Sequence, residues 1–468
     1  MEPRTLQYLA DACAGRLDPG GSPVLATGIS TDSRRIARGD LFAALPGENF
    51  DGHNFLEAAA KAGACGVLAR ESKVPASFKA CPVIFVEDPR RALGLVASRY
   101  RSDFIPAMIA VGGSNGKTTT KELVASILRT RWPAVWSEAS FNNDIGVPLT
   151  LLRLERRHRA AVLEAGTNHP GEMAALLSWI RPKFGIVTNV GREHLEYFGG
   201  LEGVAREEGA MAEALPKNGL LLVNGDSAWS PAIAERSRAR VVRVGFGPDN
   251  DWVASDLRLD EDGVTFAVRA PAEVWSGEYR VPLVGRHQAL NALFAIAVSA
   301  ENRFTKSEIQ AGLASCPPPK MRLQLKRIRG VGWLNDSYNS NPDSLAAALR
   351  ALADLPCAGR RFAVLGEMLE LGAQSEAAHV EAGQMAAGAG VDVLWAVGQW
   401  AEATTASAAA LGLAATRTFS EPAGAAEALG RELRPGDLVL LKGSRGDRLE
   451  RVEQLWSGAG NQAETGRK

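Results

Sequence analysis

Short apolar runs, each ending at polar residues and each followed by a helical stretch, restrict this chain to one broad architecture. Met108-Ile109-Ala110-Val111 runs into Gly112-Gly113, and Ala161-Val162-Leu163 ends at Glu164. Gly185-Ile186-Val187-Thr188 ends near Asn189, and Leu220-Leu221-Leu222-Val223 ends at Asn224-Gly225-Asp226. Strands that are apolar throughout must be covered on both faces, so strand–helix alternation predicts a mostly parallel sheet between helices. Ligands of such sheets sit beyond the carboxyl ends of the strands. The polar residues of this chain fall there.

One core does not serve 468 residues, because single cores stop growing near ~250–300 residues. Ahead of the alternation, Val67-Leu68-Ala69 and Pro82-Val83-Ile84-Phe85-Val86 read as strands and residues 55–62 as a helix. A helix over residues 89–101 leads out of that small α/β unit. The stiff segment Cys316-Pro317-Pro318-Pro319 reads as a linker. Beyond it the alternation restarts: Phe362-Ala363-Val364-Leu365 ends in Gly366-Glu367, Val393-Leu394-Trp395-Ala396-Val397 in Gly398, and Leu438-Val439-Leu440-Leu441 in Lys442-Gly443-Ser444-Arg445. The expectation is an α/β protein of three domains: 1–87, 88–315 around a mostly parallel sheet, and a Rossmann-like 316–468. Its polar tail, 457–468, is expected to fray.

Charge and cysteine usage exclude several function classes. Lys plus Arg and Asp plus Glu number 53 each, which argues against a general polyanion or nucleic-acid binder. The five cysteines are scattered and form no C-x-x-C pair, so neither a disulfide framework nor a zinc site is expected. The first residues lack a basic-then-apolar leader and no apolar run approaches 18 residues. A soluble cytoplasmic protein is the expectation.

Gly113-Ser114-Asn115-Gly116-Lys117-Thr118 carries the sharpest chemistry. It fits the phosphate-loop pattern G-x-x-x-x-G-K-[ST] short of the full gap: three residues separate Gly112 from Gly116, and two separate Gly113 from it. A strand precedes it, and residues 119–130 read as a helix with Leu123, Val124, Ile127 and Leu128 on one stripe. Such a loop aims backbone N–H groups and a helix N-terminus at phosphate oxygens. Lys117 would reach the terminal phosphates, and the Thr118 hydroxyl would ligate Mg²⁺; the plain alternative is a glycine-rich turn that binds nothing. Glu164, before Ala165-Gly166-Thr167-Asn168-His169, suits a Mg²⁺ bridging ATP phosphates, or is a surface carboxylate. His194 stands in the loop after the next strand, where a surface or hydrogen-bonding histidine is the bland reading; no H-E-x-x-H spacing suggests zinc. Asp336-Ser337-Tyr338-Asn339-Ser340-Asn341-Pro342 has the composition of a turn and N-cap cluster. Lys442-Gly443-Ser444-Arg445 is either a strand-end turn or an anion nest.

Taken together, V-G-G-S-N-G-K-T-T, F-N-N-D-I-G-V-P (141–148), L-E-A-G-T-N-H-P-G-E (163–172), H-L-E-Y-F-G (194–199), D-S-Y-N-S-N-P (336–342) and L-K-G-S-R (441–445) resemble the Mur ligases of peptidoglycan synthesis. The resemblance covers nearly the whole chain in order. Within the family, T-D-S-R (31–34), L-F-A-A-L-P-G-E-N-F-D-G-H (41–53) and G-E-M-L-E-L-G (366–372) look like the member that adds D-alanyl-D-alanine to UDP-N-acetylmuramoyl-tripeptide.

The resemblance implies three domains, ATP, two Mg²⁺ ions and an acyl-phosphate intermediate in a monomeric enzyme. It places the UDP end at Ser33, Arg34 and Gly47 with the rest of the 47–53 loop. It assigns ATP phosphates to the 113–118 loop and Thr119, one Mg²⁺ to Thr118 and Glu164, and a second to His194. Asn143, Thr167 and Asn168 would face substrate and phosphates, Asn291 adenine, Asp336 ribose, and Arg322 the nucleotide across domains. Lys442, Ser444 and Arg445 would approach the dipeptide and nucleotide as the third domain closes. Two positions depart from the family pattern. Glu208 stands where many Mur ligases carry a carbamylated lysine, and is expected to supply an unmodified carboxylate. Gln288 stands where G-x-H-N usually has asparagine. A sister ligase adding the third amino acid is the nearest rival, disfavoured because residues 366–372 replace the D-N-P-R segment of its diaminopimelate-using form. Folate polyglutamylation is a more distant one. A nucleotide switch that hydrolyses without ligating is the rival from another class.

Overall fold

The computed structural model describes residues 1–47 and 50–465; Glu48, Asn49 and residues 466–468 lie outside the described residues. A five-stranded sheet organises the N-terminal part, in the order Arg16–Leu17, Val83–Val86, Gly66–Arg70, Asp40–Ala43, Gly28–Ser30. Its strands are parallel except Arg16–Leu17. Helix Pro89–Arg101 has the bounds the sequence implies: the Asp88 carboxylate caps its first N–H groups and Pro89 opens it. It joins two domains through one core, with Leu93, Val96 and Tyr100 packed in the cluster that holds Leu6 and Leu9 from one side and Leu151 and Leu176 from the other.

A nine-stranded sheet forms the middle of the chain. Ala107–Gly112 lies between Ala160–Glu164 and Phe184–Val187, and all three are parallel. The chain therefore passes over its own first strand in going from the second of these to the third. Such a reversal of strand order opens a crevice at the carboxyl ends. Met108 and Ala110 face one core while Ile109 and Val111 face another, the period of a strand buried on both faces. The helix after the loop is Lys117–Leu128, two residues earlier at each end than its apolar stripe implies.

Two expectations are corrected. The alternation does not persist to residue 315: Trp252–Asp260, Gly263–Arg269 and Gly277–Val281 form an antiparallel meander at one edge of the sheet. Val264, Phe266 and Val268 turn inward onto the core. The reversal rests on Gly263, at φ +141°, where a Cβ would stand 2.1 Å from the Val281 carbonyl oxygen. Nor, among the described residues, does regular structure end at residue 457. Helix Arg451–Thr465 continues through the polar tail, anchored by Val452 and by Trp456, whose ring lies 5.1 Å from that of Trp333.

The third sheet runs Gln324–Ile328, Val331–Asp336, Leu438–Lys442, Arg361–Leu365, Val393–Val397, Thr416–Phe419, parallel except for the first strand. Its carboxyl ends face the crevice of the middle sheet. Among the described residues no helix is long and apolar enough to cross a membrane, and all five cysteines are free.

Candidate active site

Strand Ala107–Gly112 delivers the loop to the crevice, and two glycines let it turn there. Gly113 has φ +109°, with space for a Cβ only 2.2 Å from Thr188 Oγ1; Gly116 has φ +84°, with Asn291 Oδ1 at 2.5 Å. The neighbouring strand end holds the loop from below: Ser114 N donates to the Asn189 carbonyl at 2.9 Å, Asn115 N to Asn189 Oδ1 at 2.7 Å. Gly113 N donates to Glu208 Oε2 at 2.7 Å. Three loop N–H groups are thus already used. Among the described residues, those of Gly116, Lys117, Thr118 and Thr119, at the positive end of the helix, have no such partner and can receive an anion.

Lys117 folds back over the loop. Its Nζ donates to the Gly113 and Ser114 carbonyls and lies 3.3 Å from Glu193 Oε1. Burial opposes its charge, but Glu193, Glu208 and Glu164 around it raise its pKa. Burial in turn pushes up the carboxyls of Glu193 and Glu208, the latter to about 8. Too many carboxylates share one ammonium, a surplus that suits a site awaiting positive charge.

Glu164 ends its strand fully buried. Asn142 Nδ2 donates to Oε1 at 2.9 Å, whereas Oε2 is buried with no hydrogen-bond partner among the described residues. An orphaned buried carboxylate oxygen costs on the order of 1–3 kcal/mol or more, and a bound cation would satisfy it. Thr118 Oγ1 lies 3.2 Å from Ser140 Oγ. Among the described residues no three His, Cys, Asp or Glu side chains form a ready metal cluster. The donors present are oxygens that substrate phosphates and water would complete, the habit of Mg²⁺.

The far wall comes from the third domain. Arg322 donates to Ser140 Oγ at 3.3 Å and lies 4.4 Å from the centre of the Tyr338 ring. Lys442 Nζ is 2.9 Å from Asp336 Oδ2; burial lowers the Lys442 pKa, and Asp336 only partly offsets this. Asn341 Nδ2 donates to Asn115 Oδ1 at 3.0 Å, and Arg192 bridges Asp343 at 3.0 Å and Glu381 at 2.8 Å. Asn341 is also the N-cap of helix Pro342–Asp354, so the capping reading of that cluster and a place beside the loop both hold.

A cleft of about 480 Å³ results, lined by the loop, Glu164, His194, Asn143, Thr167, Asn168 and Asn291 from one side and Arg322, Asp336 and Lys442 from the other. Asn291 Oδ1 accepts from Thr120 and its Nδ2 donates to Gln288 Oε1 at 2.9 Å. Other expected residues stand apart. Glu208 lies behind the loop rather than in the cleft. Ser444 Oγ accepts from Leu369 N at 3.1 Å, and Arg445 pairs with Glu450 at 2.8 Å. Ser33 and Arg34 sit on the first domain, Arg34 paired with Asp32. Gly47 N donates to the Phe50 carbonyl, and the loop's Glu48 and Asn49 lie outside the described residues. Sequence reasoning passed over Glu193, although it is adjacent to His194 in the same motif, as well as Arg192, Asn142 and Glu370.

Comparison with known proteins follows the same division. The Mur ligase family catalytic domain matches residues 26–101, the Mur ligase middle domain residues 111–299, and the Mur ligase glutamate ligase domain residues 321–445. The UDP-N-acetylmuramoyl-tripeptide–D-alanyl-D-alanine ligase of Escherichia coli (strain K12) is 38% identical over 407 residues, which is 85% of this chain and 87% of that protein. A crystal structure of MurF from Acinetobacter baumannii superposes with a TM-score of 0.89 at 29% identity, covering 98% of this chain and 99% of the other. MurF from Thermotoga maritima in complex with ADP gives 0.79 at 25% identity, over 92% and 97% of the two chains.

Proposed function

The chain belongs to the Mur ligase family, and from that membership we propose that it joins D-alanyl-D-alanine to UDP-N-acetylmuramoyl-tripeptide. It is an ATP-dependent ligase forming a C–N bond in peptidoglycan synthesis, with ATP converted to ADP and phosphate. One observation carries the reading: the N–H groups at the start of helix Lys117–Leu128, Glu164 with its orphaned oxygen, and Arg322 and Lys442 of the third domain border a single cleft. We place the enzyme in the cytoplasm as a monomer, with domains 1–87, 88–315 and 316–468.

The physical problem is to bring a carboxylate against a phosphate. In the reaction the peptide's terminal carboxylate oxygen attacks the γ-phosphorus and ADP leaves. The dipeptide amine then attacks the acyl carbon, and phosphate leaves with the oxygen that linked them. Gly116 to Thr119 hold the terminal phosphates on the helix N-terminus, and Lys117 supplies positive charge beside them. Thr118 and Glu164 would hold one Mg²⁺ and His194 a second. When bound, these ions screen the repulsion between the two anions. Asn291 and Gln288 face the adenine, Asp336 the ribose, and Arg322 the nucleotide from the third domain. Asn143, Thr167 and Asn168 border the path of the peptide, while Ser33, Arg34 and the 47–53 loop take the UDP end. Lys442, Ser444 and Arg445 approach the dipeptide. Closure of the third domain excludes water that would otherwise hydrolyse the acyl phosphate. Glu208 contributes a carboxyl oxygen to the loop, accepting the Gly113 N–H, without modification.

The test is formation of ADP and ligated product from ATP, Mg²⁺ and UDP-N-acetylmuramoyl-tripeptide, with and without D-alanyl-D-alanine. Product that requires the dipeptide supports the reading. Ligation of a single amino acid to UDP-N-acetylmuramoyl-dipeptide would move the chain to a sister ligase, and slow hydrolysis without ligation would make it a switch.

A further inference from the structure

We propose that Glu370, delivered by the third domain, is a positioning residue that orients the His194 imidazole toward a divalent cation. The inference rests on the ligase reading only for His194's role as a ligand. His194 is the residue before helix Leu195–Phe198 and has φ +51°. Its Nδ1 meets Glu370 Oε2 in a short contact, while its Nε2 lies on the side of Glu193, 3.9 Å from Oε2. An ionised carboxylate can only accept, so Nδ1 must carry the hydrogen. A neutral ring then keeps its lone pair on Nε2, on the side of Glu193, which lines the same cleft as His194. A carboxylate on the distal nitrogen is the usual way in which a ligating histidine is fixed in tautomer and plane.

The position of Glu370 is built, not incidental. Its backbone has φ +61°, a conformation uncommon for residues with side chains. Its carbonyl accepts from Glu196 N at 3.3 Å, on the helix that His194 begins. Met368 and Leu371, on either side, share a core cluster with Leu195. Gly372, at φ +55°, lies so close to that helix that a Cβ would be 3.2 Å from Glu196 Cβ. Polar, apolar and backbone contacts therefore all seat the 368–372 segment against residues 194–196. Since His194 and Glu370 belong to different domains, the oriented ring exists only while the domains are docked. Binding of the cation at His194 and docking of the third domain then favour one another, each completing what the other needs.

The test uses the full-length chain saturated with ADP and follows Mn²⁺ binding by electron paramagnetic resonance. Wild type is expected to bind two ions, and Glu370→Ala to weaken one of them about 10- to 100-fold while leaving the other unchanged. Glu370→Gln keeps an oxygen that accepts from Nδ1 and should recover most of that loss. The Mg²⁺ concentration for half-maximal ligation should rise in Glu370→Ala by the same factor, with kcat regained at high Mg²⁺. Glu370 is 40% exposed on its side chain, so the substitution empties no core. Unchanged Mn²⁺ binding in Glu370→Ala, tighter binding, or a single ion in wild type would overturn the proposal. Absence of ligated product from wild type would instead overturn the ligase reading, leaving the Mn²⁺ result to stand separately.

Discussion

Glu208→Gln measures what it costs the fold to keep a carboxyl group behind the phosphate loop. Glu208 is 3% exposed, accepts the Gly113 N–H, and has its pKa pushed from 4.5 to about 8 by burial, with Lys117 only partly offsetting this. In the unfolded chain the group ionises near its ordinary value. As pH rises from 4.5 to about 8 the unfolded state gives up this proton and the folded state keeps it, so stability falls across that window. Each pKa unit corresponds to about 1.4 kcal/mol, which puts the ceiling on the order of 5 kcal/mol. Relaxation and water entry reduce this, so the expected penalty is about 2–4 kcal/mol. The glutamine retains the acceptor oxygen but cannot ionise. Its thermal midpoint, relative to wild type, should therefore rise between pH 5 and pH 8.5 by roughly 2–5 °C. The assay is thermal unfolding of both ligand-free proteins at several pH values, monitored by circular dichroism. A difference between them that stays constant with pH would refute the reasoning, because it would mean Glu208 ionises alike in folded and unfolded chains.

Two further outcomes are expected. Lys117→Met should lower kcat for ligation about 100- to 1000-fold. Because it leaves Glu193 and Glu208 without the cation that offsets their burial, it should also lose more thermal stability at pH 8 than at pH 6; equal loss at both would show that these two carboxyls do not depend on the ammonium. Purified enzyme should be as active in bicarbonate-free buffer as in buffer with bicarbonate, since the Glu208 carboxyl group is part of the side chain and needs no carbon dioxide to form. A bicarbonate requirement would remove Glu208 from that role.

Much of the fold was legible because its signals are local. Asp88-Pro89 marks a helix start by capping and by the fixed φ of proline, and helix Pro89–Arg101 begins there. Continuous apolar runs marked the buried strands, and the polar residues at their ends marked the cleft. The antiparallel meander was missed because strand–helix alternation was carried through residues 252–281. Asp262-Gly263, between two alternating runs, was the available hairpin signal. The frayed tail was misjudged because two anchors, Val452 and Trp456, suffice to dock an otherwise polar helix. Of the site, Lys117, Glu164 and His194 could be read from motifs at strand ends. What could not be read is which loop atoms already have partners: the uses of the Gly113, Ser114 and Asn115 N–H groups depend on Glu208 and Asn189, far away in sequence. Glu370 shares no pattern with His194, and only the docking of two domains brings 370 to 194.

In the proposed reaction ATP activates the peptide's carboxylate. That step is tested most directly with UDP-N-acetylmuramoyl-tripeptide labelled with oxygen-18 in the terminal carboxylate, incubated with ATP, Mg²⁺ and D-alanyl-D-alanine. Transfer of one labelled oxygen into each inorganic phosphate, in step with ligated product, is the predicted result. Phosphate that carries no label would contradict it, because its oxygen would then have come from water and the cleft would be hydrolysing ATP without joining the two peptides.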